Sequence, residues 1–429
     1  MSCFLHDSTF HTQKLPSCLP AESMARRFKI VRKAYDEPPM EIDLDLFTVE
    51  DTEEEIPLME LLTDKLVSLY SLDHANERMV FVRVPEGVDL VRDYAFYHKA
   101  QSASAEEIYI ARYEDCFSAA SKLKPKAHLG TNFSYVFNTG RCGSTLLHKL
   151  LLRGGVCSLS EPEWTIQIMK LMQVEHIGDE ATEKLLECCH VLAFWNAKLN
   201  NPQATFFSMN PKAHTACYFR FIPKIFPSAK FIFLSRECSK VVESFSSIMS
   251  HDTPQWQRSF KNFFLSTTSS ALVKLGLSRK ILEDTHPVHG SIVACTSNLI
   301  NHEAFLPFFG RLDPLAYMWT VNYIVECAHA NMVSAQGLDI LFTTYEEMVA
   351  SKPDFIRNVW KHLGISISSK ELEMVLEGFG DHSQKDDKLM SKSSNSTGGP
   401  KFLSDEDRKV IAEMLQVPVE QYLTAAPNV

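Results

Sequence analysis

The chain has 429 residues, a formal net charge of −10, and 45% hydrophobic against 22% charged residues. That size and balance fit a globular protein of one large domain with additions, or of two domains. The acidic excess argues against non-specific binding to nucleic acid or to an anionic membrane, so any anion site must be built locally.

Eleven cysteines occur without a C-x-x-C pair, and neither zinc-ligand spacing nor an H-E-x-x-H motif is present. The expectation is free thiols in a reducing compartment and no metal site. The opening stretch MSCFLHDSTFHTQKLPSC lacks an apolar core of signal-peptide length. No run of about eighteen apolar residues appears, so no membrane span is expected and the cytoplasm is the expected location.

Residues 1–128 read as an N-terminal α+β extension without a chemical constellation of its own. The first 25 residues are polar, and DLDLFTVEDTEEE reads as a solvated face or loop. IPLMELLTDKLVSLYSL (56–72) has apolar residues at helical spacing, and RMVFVRV (78–84) alternates like a strand. AEEIYIARYEDCFSAASKL (105–123) is helical at its end, and Lys122 to Lys126 with Gly130 mark a linker.

From residue 129 to 429 the pattern becomes strand, turn and helix, repeated. Apolar strands are expected at SYVF (134–137), VCSL (156–159), TFFSM (205–209), KFIFLS (230–235) and LDILFTT (338–344). Helices are expected at TLLHKLLLRGG, near 163–174 and 181–200, through most of AHTACYFRFIPKIF, and at 239–250, 314–333 and 353–364. Alternation of this kind specifies an α/β fold with a doubly wound parallel sheet, whose ligands bind at the carboxyl ends of the strands. Those ends carry Asn138 to Gly143, Ser160-Glu161, Asn210 to His214, Arg236, and Tyr345-Glu346-Glu347.

The stretch NTGRCGSTLL has the makings of an anion cradle. Gly140 and Gly143 let backbone N–H groups approach a ligand, and Ser144 and Thr145 open a helix whose free N–H groups and dipole favour negative charge. Arg141 offers a forked donor. A triphosphate loop requires G-x-x-x-x-G-K-[ST]; here the lysine is missing and the glycines stand too close.

This stretch resembles the 5′-phosphosulfate-binding loop of sulfotransferases that use 3′-phosphoadenosine 5′-phosphosulfate (PAPS), a P-loop-like nucleotide-binding fold. Arg236 after an apolar strand, with Ser244 eight residues on, resembles that family's 3′-phosphate anchor. ILFTTYEEMVASKPDFIRNVWKHLGI resembles its Tyr-Glu-Asp/Glu segment, which implies Tyr345 near the adenine. The resemblance spans roughly residues 133–364. It implies PAPS as co-substrate, no metal, and sulfuryl transfer to a hydroxyl or amine on a small-molecule or carbohydrate acceptor. Cys142 fills the loop's small-residue position.

Two residues are candidates for the base. Glu161, in SLSEPEW, stands where tyrosyl-protein and some carbohydrate sulfotransferases carry a glutamate, and the preceding loop is closer to that branch. His214, two residues after Lys212 in NPKAH, matches the histidine of the small-molecule branch. Lys212 and Arg141 are expected to stabilise charge on the leaving phosphate. Residues 251–310 read as an insertion able to cover the acceptor. KLMSKSSNSTGGPKFL, with Lys388, Lys392 and Lys401, is either a fold over the nucleotide or a Ser/Gly linker. The competing functions are a P-loop kinase or nucleotide hydrolase, and a non-catalytic sulfotransferase-like binding protein.

Overall fold

The computed structural model describes residues 23–34, 47–128, 132–173, 175–249, 303–380, 402–419 and 423. The N-terminal part is a five-stranded antiparallel sheet. Its strands are β1 (Met24–Lys33), β2 (Phe47–Pro57), β3 (Val67–Asp73), β4 (Arg78–Arg83) and β5 (Glu107–Arg112), in the order β2-β1-β5-β4-β3.

The acidic stretch expected to be a solvated face or loop is, from Phe47 on, the mostly exposed strand β2, because basic β1 (MARRFKIVRK) lies antiparallel to it. Arg26 pairs with Asp51, and Arg27 pairs with Glu54 and Glu107. The helix expected over 56–72 is one turn, α1 (Leu58–Leu61), followed by β3. Asp64 breaks it: its carboxylate accepts from the Leu66 N–H at 2.9 Å. VSLYSL then pairs with β4 and is buried on both faces, and a strand buried on both faces has no period to distinguish it from a buried helix.

Helix α2 (Tyr97–Ser104) crosses beside β3, and α3 (Tyr113–His128) leads toward the second sheet. The expected linker at Lys122 to Lys126 is the end of α3, which runs through Pro125 to His128.

The second sheet is parallel. Strands β6 (Asn132–Asn138), β7 (Cys157–Ser160), β8 (Phe206–Asn210), β9 (Lys230–Ser235) and β10 (Ile340–Thr344) lie in the order β10-β9-β6-β8-β7. β6, β8 and β9 are buried along almost their whole length, as parallel strands covered on both faces must be.

The helices that follow the strands are α4 (Ser144–Arg153), α5 (Glu163–Gln173), α6 (Asp179–Asn200), α7 (Ile222–Ile225), α8 (Cys238–Met249), α9 (Pro314–Ala335), α10 (Tyr345–Ala350) and α11 (Lys352–Leu363). Beyond them come α12 (Ser369–Glu377) and α13 (Asp405–Met414). The helix expected through AHTACYFRFIPKIF is two short turns, Ala216–Arg220 and α7, the second starting at Ile222 with Pro223 in its first turn. The chain leaves β6 toward β7 on one side and reaches β9 on the other, so the carboxyl end of β6 is the place where such sheets bind ligands.

One hydrophobic core runs across the expected division at residue 128/129. It joins Met79, Tyr113 and Cys116 to Phe133, Tyr135, Phe194 and Phe226. Polar ties reinforce the seam: Gln167 accepts from the Leu72 N–H at 2.8 Å, Trp195 donates to the Leu62 carbonyl at 2.7 Å, and Asn196 donates to the Val67 carbonyl at 2.6 Å. The antiparallel sheet is thereby fixed against α5 and α6, beside the carboxyl end of β7. Most of the insertion 251–310, and the lysines at 388, 392 and 401, lie outside the described residues.

Candidate functional site

The turn after β6 has three left-handed residues: Gly140 (φ 72°), Arg141 (φ 48°) and Gly143 (φ 86°). A Cβ at Gly140 would sit 2.6 Å from the Phe245 ring, and one at Gly143 2.6 Å from Met348 and 2.7 Å from the Tyr345 ring. Glycine is required at both by backbone and by space. Asn138 starts the turn by accepting from the Gly140 N–H at 2.9 Å. Gly143 is the N-cap of α4 and brings no side chain to close its first turn, which leaves the helix dipole facing the strand ends.

Arg141 holds a conformation that costs about 1–2 kcal/mol for a side-chain-bearing residue. It is fixed from two directions. Its Nε donates to Ser244 Oγ at 2.9 Å, and its carbonyl accepts from Arg236 at 3.2 Å. The Arg236 guanidinium in turn lies 4.6 Å from the centre of the Tyr345 ring. The two anchors expected from the sequence thus meet in one cluster of Arg141, Arg236, Ser244 and Tyr345. Arg236 Nε is buried and has no hydrogen-bond partner among the described residues. A guanidinium that is always charged and keeps such a donor suits an anionic ligand.

Cys142 is buried and packs with Leu147, Leu151 and Ile232; burial pushes its thiol up to about 11, so it is an inert core group. Thr344 caps α10 by accepting from the Glu347 N–H at 3.1 Å, and Glu347 reciprocates at the Thr344 N–H at 3.0 Å. Glu346 pairs with Lys240 at 3.6 Å.

The second half of the cluster lies at the ends of β7 and β8. Asn138 donates to the Asn210 side chain at 3.2 Å and to the Pro211 carbonyl at 3.3 Å, and Asn210 donates to Ser160 Oγ at 3.4 Å. These amides connect three adjacent strand ends. Glu161 follows β7 in a left-handed turn (φ 55°), its N–H donating to the Asn210 carbonyl at 2.7 Å. Lys212 forms an ion pair with Glu163 at 2.6 Å, with the two side chains only 12% and 2% exposed.

His214 (φ 80°) is buried, its ring 5.3 Å from Trp319, which stacks on Phe245 at 3.6 Å. Its backbone N–H, with that of Ala216 at 3.2 Å, donates to the buried carboxyl of Glu326. Burial raises Glu326 to about 8 against those two bonds.

The structure therefore brings Gly140, Arg141, Gly143, Ser144, Thr145, Arg236, Ser244 and Tyr345 together around one turn. Glu161, Lys212 and His214 lie on the next strand ends. Glu163 and Glu326 were missed by sequence reasoning, which named Asn138 and Asn210 at the strand ends but gave them no role. The signal for the asparagines was present, since VFN and SMN each end an apolar strand in a residue that strands disfavour. Among the described residues no cluster of His, Cys, Asp and Glu is arranged to hold a metal, and no helix is long and apolar enough to cross a membrane.

No protein-family model and no curated protein sequence matches the chain. Solved structures do resemble it. The sulfotransferase domain of the curacin biosynthetic pathway is 12% identical, with a TM-score of 0.34, over 66% of this chain and 97% of that one. A mouse sulfotransferase complexed with PAP is 12% identical, with a TM-score of 0.34, over 71% and 93%. Retinol dehydratase in complex with androsterone and the inactive cofactor PAP is 12% identical, with a TM-score of 0.28, over 85% and 97%. At identities and TM-scores this low the likeness carries no functional weight, which falls to the chain's own residues.

Proposed function

We propose that the protein transfers a sulfuryl group from PAPS to a hydroxyl or amine of a small-molecule or carbohydrate acceptor. The observation that carries this reading is the interlock of Arg141, Arg236 and Ser244. Two arginines and a serine converge on a glycine turn without a Walker lysine, and one arginine keeps a buried unpaired N–H among the described residues.

In this reading the turn from Gly140 to Thr145 holds the 5′-phosphosulfate, with Cys142 contributing through its backbone. Arg236 and Ser244 hold the 3′-phosphate, and Tyr345 lies against the adenine. The acceptor oxygen or nitrogen attacks sulfur, and the bond from sulfur to the bridging oxygen breaks. Adenosine 3′,5′-bisphosphate leaves with that electron pair, and the acceptor's proton passes to a base. Glu161 is the first candidate for that base and His214 the second. Lys212, oriented by Glu163, and Arg141 offset the charge that grows on the leaving group. The eight cysteines among the described residues are all free, which supports a cytoplasmic, reducing location.

Calorimetry tests the donor site. Adenosine 3′,5′-bisphosphate is expected to bind with micromolar or better affinity and ATP much more weakly. Tight ATP binding without bisphosphate binding would overturn this reading in favour of a kinase or nucleotide hydrolase. Transfer from labelled PAPS to a panel of alcohols, phenols, amines and sugars, with Glu161→Gln and His214→Ala, then separates the two bases. If neither variant loses turnover, both assignments are wrong.

A further inference from the structure

The N-terminal unit places one polar side chain against the strand ends that the reading above makes the acceptor side. His98, on α2, is 2% exposed. Its Nδ1 lies 2.8 Å from the carbonyl oxygen of Glu161. A carbonyl oxygen only accepts, so the ring donates through Nδ1–H, and Nε2 carries the lone pair. Among the described residues Nε2 has no hydrogen-bond partner, although it is buried. Burying an acceptor with nothing to bind is unfavourable, and native proteins keep such atoms where a ligand or water completes them.

The helix that carries this ring is held in place. Gln101, one turn on, donates to Ser68 Oγ and to the Leu69 carbonyl, both at 2.8 Å, and Tyr97 is buried against α6 with its hydroxyl 3.5 Å from Asn196. Burial and two nearby ammonium groups, Lys212 and the weaker-acting Lys99, keep the imidazole neutral. Burial disfavours the charged ring first, and the nearby Lys212 ammonium disfavours it further, against the bond to Glu161. His98 therefore presents a fixed lone pair beside the residue that follows β7 and beside Lys212.

We propose that His98 Nε2 accepts a hydrogen bond from an O–H or N–H of the acceptor other than the one whose proton passes to the base, so that the N-terminal unit is one wall of the transfer site. The inference rests on the sulfuryl-transfer reading and adds a residue contributed from outside the parallel sheet. It accounts for the tight seam between the two sheets: a group that orients the nucleophile must not move relative to the phosphate turn.

The test compares His98→Asn and His98→Ala with wild type, using labelled PAPS and the acceptor panel, with calorimetry against adenosine 3′,5′-bisphosphate. Asparagine keeps an N–H where Nδ1–H stood and so retains the bond to Glu161, but it removes the Nε2 lone pair. The expected result for H98N is bisphosphate affinity within twofold of wild type, unchanged thermal unfolding, and kcat/KM lowered at least tenfold through kcat. An Arg236→Ala control loses bisphosphate affinity instead. If H98N turns over within twofold of wild type while H98A unfolds at lower temperature, His98 serves only to hold the Glu161 turn, and the inference is overturned. Bisphosphate binding by wild type without transfer to any member of the panel also overturns it, since no acceptor is then held. Absence of bisphosphate binding by wild type removes the sulfuryl-transfer reading itself and is told apart at the first titration.

Discussion

Replacing Gly143 with alanine puts a methyl group where Met348 and the Tyr345 ring already stand, 2.6 and 2.7 Å from the new carbon, at φ 86°. The left-handed conformation costs alanine about 1–2 kcal/mol, and forcing a methyl into a packed site costs about 1–3 kcal/mol more. G143A is therefore expected to lose about 2–5 kcal/mol. Gly155 supplies the control: its φ is 80°, and a Cβ there meets nothing within 4 Å. G155A is expected to lose only the conformational part, about 1–2 kcal/mol. Urea midpoints read by circular dichroism give the comparison, provided both variants keep the wild-type slope. Ligand binding separates them further. Moving Tyr345 disturbs the ring beneath Arg236, so bisphosphate affinity falls at least tenfold, about 1.4 kcal/mol, in G143A and not in G155A. Equal midpoints and equal affinities would refute the claim that Tyr345 is seated on the turn.

Lys212→Met leaves the Glu163 carboxylate buried without its partner, and breaking such a pair costs about 3–5 kcal/mol in denaturant unfolding. The double variant with Glu163→Gln is expected to regain most of that stability but no turnover; a single variant as stable as wild type would sink the assignment. Glu326 is raised by burial from 4.5 to about 8. Between those values the folded chain holds a proton that the unfolded chain has released, so its contribution to stability is full below about pH 4.5 and is lost as pH rises through about 8. Glu326→Gln should flatten that decline when melting temperature is followed from pH 5 to pH 8.5, and an unchanged slope would place the titration elsewhere.

The parallel sheet was legible because each of its strands is an apolar run closed by a turn, and TLLHKLLLRGG or PDFIRNVWKHLG carries its own stop signal at Gly154 or Gly364. The glycine turn from Asn138 to Gly143 was legible for the same reason: its residues are local. The N-terminal sheet was less so. Neither MARRFKIVRK nor TVEDTEEE identifies itself as a strand, and only side by side do their charges match. VSLYSL, buried on both faces, offered no alternation to read.

Which carboxylate of SEPEW turns inward was hidden as well. The left-handed turn at Glu161 swings Glu163 beneath Lys212, a consequence of backbone geometry that residue identity does not announce. His98 meets its partner from 63 residues away, through packing alone.

The asparagine chain from Ser160 through Asn210 to Asn138 has a metric consequence. β7 and β6 are separated by one intervening strand, so their carboxyl ends, which lead into the Glu161 turn and the Gly140–Gly143 turn, stand two strand spacings apart, roughly 9.6 Å. Hydrogen-bonded strands admit no intermediate spacing, and the side-chain amides pin the ends, where a sheet is loosest. The sheet thus acts as a ruler with a pitch of about 4.8 Å. On the sulfuryl-transfer reading proposed above, a change of acceptor size would be met by the side chains along that span, while the distance between the two turns stays fixed by the fold.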